Sequence, residues 1–169
     1  ALGQIPKIKK TQLIGDFVCW VEQKPQEAGR STVLIRPFGR PDLSPQELTK
    51  DPINLRTRVH EYGGGVIAIS SQKERLFLAW IDDSDGCLWI QSYEGMFNAQ
   101  TKVDSWFISL KSPICLSSLS EGALADGLID LPRQRWIGVL EKDGRDYLVS
   151  FSLNREHQNP QILHCPEDF

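Results

Sequence analysis

The stretch RTRVHEYGGG, Arg56–Gly65, holds the densest set of reactive side chains in the chain. Arg56 and Arg58 are fixed cations, His60 carries an imidazole, Glu61 is a carboxylate, and Tyr62 carries a hydroxyl on an apolar ring. Gly63, Gly64 and Gly65 follow. A phosphate cradle would need the glycines to open a helix, where N–H groups converge. Here they open VIAIS, a β-branched strand pattern, with no G-x-G-x-x-G spacing and no Lys-Ser/Thr end. A metal site fares no better. His60 and Glu61 are neighbours and point to opposite faces of a strand. The four cysteines, Cys19, Cys87, Cys115 and Cys165, are isolated from one another, whereas zinc ligands cluster. No cofactor and no metal are expected. What remains is binding or lining. Arg56, Arg58 and His60 alternate on one side of an extended segment. They are placed to meet carboxylates of a neighbouring unit or to face a channel. The glycines suit a place where backbones crowd, because glycine admits close approach and unusual φ.

Such a segment needs a scaffold. The 169 residues, 40% apolar and 24% charged, suffice for one domain with a core. The net charge of −3, with basic and acidic residues interspersed, leaves no nucleic-acid footprint. No apolar run approaches the roughly 20 residues of a membrane span, so no membrane partner is expected. ALGQIPKIKK has charge but no apolar core after it, unlike a signal peptide. The first residue is not Met, so a cut N-terminus is expected. Lone cysteines inside apolar runs predict a reducing, cytoplasmic compartment.

Helical patterns are scarce, and short runs rich in Val, Ile, Leu, Trp and Phe recur between turn residues. DFVCWVEQ leads to STVLIRP and PQELT; RLFLAWIDD to CLWIQS and PICLS; RWIGVLEK to DYLVSFS and PQILH. Trp20, Trp80 and Val139 are aligned as equivalent, each followed two residues on by an acid: Glu22, Asp82, Glu141. GVIAIS and ALADGLID precede the second and third units, and TQLIG the first. The expected fold is all-β: a partial β-propeller of about three four-stranded antiparallel blades, at 11–50, 64–118 and 122–166. A β-sandwich with similar hairpins is the alternative. Three blades leave edges and a core face open. A fragment, or two copies pairing through blade edges, is therefore expected, and the end at HCPEDF fits a cut between blades.

NLRTRVHEYGGG resembles a signature of the N-terminal propeller of the prolyl oligopeptidase family of serine peptidases. The resemblance is to the acylaminoacyl-peptidase and dipeptidyl-aminopeptidase-like branch. WVEQKPQEAGRSTVLIR, DSDGCLWIQ and ALADGLIDLPRQRWIGVLEKDG are similar to other family stretches, in the same order. The segment at 93–112 is long for its place and reads as an insertion or a strand pair of its own. The resemblance implies a C-terminal α/β-hydrolase domain with a Ser, Asp, His triad. No G-x-S-x-G elbow occurs here, so that domain is absent and no catalytic residue is expected. Neither His157 nor His164 has a family-like nucleophile beside it. The resemblance further implies a propeller that gates the active site and selects peptides. Glu61 is the candidate to hold a substrate amine. The hydrolase domain and a peptide are the implied partners. A stand-alone propeller-like binding or scaffold module, without enzymatic activity, is the alternative.

Overall fold

A computed structural model of the chain describes residues 5–59, 64–95, 105–118 and 122–167. Among these residues there are thirteen strands in three antiparallel sheets, one 3-10 turn at Pro25–Glu27, and no α-helix. The first sheet runs β1 (Lys7–Ile14), β2 (Phe17–Lys24), β3 (Arg30–Pro37), β4 (Gln46–Glu47). The second runs β5 (Ile67–Gln72), β6 (Arg75–Ile81), β7 (Leu88–Gly95), β8 (Phe107–Ile108), with β9 (Ile114–Cys115) also on β7. The third runs β10 (Ala123–Asp130), β11 (Arg135–Lys142), β12 (Arg145–Ser152), β13 (Gln161–His164). Each is a meander of neighbouring strands, the blade of a propeller. The fold is a partial β-propeller.

The middle blade explains its own sequence. RLFLAWI is apolar at nearly every position because both faces of β6 are covered. Leu76, Leu78 and Trp80 join Phe17, Cys19, Val21, Val33 and Ile35 in a core between the first and second blades. Phe77, Ala79 and Ile81 turn the other way, toward Leu124, Trp136, Leu140, Val149 and Phe151 of the third. Register corrects one alignment. In β11 it is Trp136 and Leu140 that enter this second core. Val139 pairs with Leu148 on the opposite face. Leu140, not Val139, is therefore the counterpart of Trp80. A slip of one residue moves a side chain to the other face of a sheet.

Pro45, Pro113 and Pro160 stand just before β4, β9 and β13, short outer strands where a missing N–H costs little. The second blade departs from four strands. Its connection supplies β8, which pairs with the far end of β7 (Glu94 with Ile108), while β9 pairs with the near end (Trp89 with Cys115). β8 also reaches across to the first blade. The Gln46 side chain accepts from the N–H groups of Trp106 (2.8 Å) and Phe107 (3.0 Å) and donates to the Phe107 carbonyl (2.8 Å). The Phe107 ring packs edge-on to Phe17 at 4.9 Å. Part of the 93–112 segment is thus a clasp between blades.

Three of the five tryptophans, Trp20, Trp80 and Trp136, are buried, and Trp89 and Trp106 pack half-buried against the first core. Trp80 and Trp136 are almost fully buried. The Trp136 ring occupies the space beside Gly138 and Gly127, where a Cβ would fall about 2.1 Å from ring atoms at either position. Trp20, buried on the face of β2 turned away from the second blade, is covered by the Arg36 guanidinium at 5.7 Å from its ring centroid.

Candidate functional site

The segment carrying the arginines is laid down by the first blade. Arg30 is almost fully buried, with ion pairs to Glu27 (2.6 Å) and Glu47. It donates to the carbonyls of Thr49 and Ile53 at 3.0 Å each. This fixes the end of the connection that follows β4. Asn54 then accepts the Ser31 N–H on its side chain (2.9 Å), and its carbonyl accepts from Asp83 (2.8 Å). Leu55 donates to Ser31 (3.0 Å), and Arg56 donates its N–H to Ile81 (3.2 Å). The Thr57 hydroxyl donates to the Leu124 carbonyl of the third blade. Residues 54–57 thus touch all three blades in turn. The chain is extended here, so side chains alternate: Leu55, Thr57 and Val59 are buried, while Arg56 and Arg58 are exposed.

Gly64 and Gly65 resume the described path at the head of the second blade. They lie against a bulge of β10, between Ala125 and Leu128, where Asp126 takes φ +54°. Asp126 clamps Gly65 from both sides: its carboxylate accepts the Gly65 N–H (2.6 Å), and its own N–H donates to the Gly65 carbonyl (2.9 Å). A Cβ on Gly64 would meet Ala125 Cβ and the Asp126 carboxylate at 2.8 Å. One on Gly65 would meet Asp126 at 2.9 Å and the Lys10 ammonium at 3.2 Å. A side chain at Gly64 would displace Ala125 of the bulge, and one at Gly65 would push aside the Asp126 carboxylate that holds its N–H.

Around these residues opens a cavity of about 870 Å³. Lys9 and Lys10 of β1, Gln23, Asn54, Arg56 and Arg58, Gly64 and Gly65, Asp83 and Asp126 contribute to its wall. A second hollow of about 320 Å³ continues from Arg56–Arg58 toward the third blade, past Asp83 and Gly122. Arg58 is 3.9 Å from Asp83. His60, Glu61, Tyr62 and Gly63 lie outside the described residues. His157 and His164 are both exposed and stand away from the cavity lining. Among the described residues no group of His, Cys, Asp and Glu is arranged to hold a metal, and no helix is long and apolar enough to cross a membrane.

Sequence reasoning missed Lys9, Lys10, Asp83 and Asp126. A signal existed for one of them. Asp-Gly inside the strand pattern ALADGLID marks a bulge, and bulges re-aim side chains. Nothing in the linear order links β1 lysines to Arg56, because the cavity wall is assembled from three blades.

No family model matches the chain, and no curated protein matches it. Solved structures do. A puromycin-hydrolyzing peptidase of Mycobacterium tuberculosis superposes on 96% of this chain, with TM-score 0.73 and 22% identity. Puromycin hydrolase superposes on 90%, with TM-score 0.67 and 21% identity, and a variant of it in complex with PGG does so with TM-score 0.66. The chain spans 22–25% of the length of those proteins. It has the fold of about a quarter of a puromycin-hydrolyzing peptidase.

Proposed function

We propose that the chain is the N-terminal propeller portion of a serine peptidase of the prolyl oligopeptidase family. It gates access to a C-terminal α/β-hydrolase active site and helps select peptides for it. The observation that carries this reading is the superposition of nearly the whole chain on part of a larger peptidase. The RTRVHEYGGG resemblance supports it independently, and so does the polar cavity beside Arg56 and Arg58. The thiols of all four cysteines are free, which supports a reducing, cytoplasmic location. In this reading the catalytic serine is supplied from elsewhere in the parent protein. The hydrolase domain and a peptide substrate are the partners.

Two measurements test it. A fluorophosphonate serine probe should leave this chain unlabelled, and labelling would place the chemistry here instead. In the parent enzyme, Glu61→Gln should lower kcat/KM for peptides with a free amine far more than for blocked ones. Equal losses on both would remove Glu61 as the amine's partner.

A further inference from the structure

Among the described lining residues of the cavity, cations outnumber carboxylates. Lys9, Lys10, Arg56 and Arg58 face Asp83 and Asp126. Both carboxylates are engaged: Asp83 is 3.9 Å from Arg58, and Asp126 holds the Gly65 N–H. Lys9, Lys10 and Arg56 have no carboxylate within ion-pair distance among the described residues. Their convergence is built. β1 carries an extra residue at Lys9, where its register with β2 shifts between Ile8 and Lys10, and both lysines line the cavity. Arg56 lines the same cavity from a different segment, on a backbone tied to the first and second blades at Leu55 and Arg56. Gln23 and Asn54 add neutral polar groups to the lining. A volume of about 870 Å³ is within the range of small-ligand sites.

We propose that this cavity is a carboxylate site for peptides, anchored by Lys10 and Arg56. The carboxylate is a C-terminus or an acidic side chain. The inference rests on the reading of the propeller as a peptide-facing wall. An ammonium finds no unengaged carboxylate among the described lining residues. A phosphate dianion would sit near Asp83 and Asp126 without the converging N–H groups of a helix terminus. A single negative charge in the cavity would meet the cations of Lys10 and Arg56, with the amide groups of Gln23 and Asn54 in the same lining for a peptide backbone.

The test is calorimetric titration of the 169-residue chain with three blocked peptides: acetyl-trialanine with a free carboxylate, its C-terminal amide, and acetyl-Ala-Glu-Ala amide. The free acid is expected to bind about tenfold tighter than its amide. Added salt should weaken the acid and leave the amide unchanged. Lys10→Met and Arg56→Met, both at exposed positions, should each cost the acid about fivefold and the amide nothing. Lys73→Met, outside the cavity, is the control and should change neither. Circular dichroism confirms that each variant folds. If the glutamate peptide matches the acid, the site takes a carboxylate from either source; if it matches the amide, the source is the C-terminus. Equal binding of acid and amide overturns the carboxylate site and leaves the peptide wall standing. Binding of none of the three peptides overturns both.

Discussion

Cys19 shows how one side chain reports on the packing of a whole interface. It is fully buried between the first two blades. Burial pushes its thiol up to about 11, against the opposing pull of the Lys10 ammonium. Cys115, also buried, is pushed up to about 11 by burial first and by neighbouring Cys87 second. The thiolate is the reactive form, so a raised thiol reacts slowly. At about pH 8, iodoacetamide should modify half-exposed Cys87 and Cys165 in the native chain and spare Cys19 and Cys115. Mass spectrometry of the labelled peptides reads the result. Denaturation should expose all four. Rapid labelling of Cys19 under native conditions would show that the interface between the first two blades opens.

The connection after β4 is the element that delivers the arginines, and it is pinned by charge. Arg30 holds Glu27 and Glu47 in ion pairs and binds the carbonyls of Thr49 and Ile53. The Arg30 hydrogen bond holds the Glu27 carboxyl below its ordinary value. At Glu47 burial works upward, but the Arg30 guanidinium and the Thr32 hydroxyl outweigh it, and that carboxyl is also lowered. A lowered carboxylate contributes stability above its unfolded value, 4.5 for both groups, and loses it as pH falls through the folded value. Urea midpoints should therefore decline as pH drops below about 4.5. Arg30→Met should flatten that decline and cost about 2 kcal/mol at neutral pH, since it leaves half-buried Glu47 with only the longer Lys24 ion pair at 3.4 Å and frees the carbonyls of Thr49 and Ile53. An unchanged acid limb in the variant would show that other carboxylates govern acid unfolding.

At the scale of the whole molecule, three blades in a row leave two outer faces and several strand edges. β13 is exposed along its full length, and Leu128 and Leu148 are exposed on the third blade. Open edges and apolar surface favour association, and we propose that the chain self-associates through its blade edges. Light scattering should show a mass above one chain that rises with concentration. Leu148→Glu, at an already exposed position, should lower that mass without changing the circular dichroism. A monomer at high concentration would remove the proposal.

Strand positions and the blade repeat were legible in the linear chain, because alternation, turn residues and leading prolines are local properties. RWIGVLEK and ALADGLID coincide with β11 and β10 to the residue. The face that each strand presents was less secure. The repeat pattern sets Val139 in line with Trp80, yet Leu140 fills that place, since side-chain direction has a period of two and a one-residue slip reverses it. The clasp made by β8 was not foreseen, because its partner Gln46 lies about sixty residues away. Arg56 and Arg58 were visible as candidates from their spacing alone. That Lys10 and Asp126 stand beside them was decided only by the tertiary structure. Two bulges, in β1 and β10, turn those side chains toward an axis where three separate sheets converge. Which residues share such a cavity depends on blade order and bulge geometry, and no local stretch of sequence encodes either.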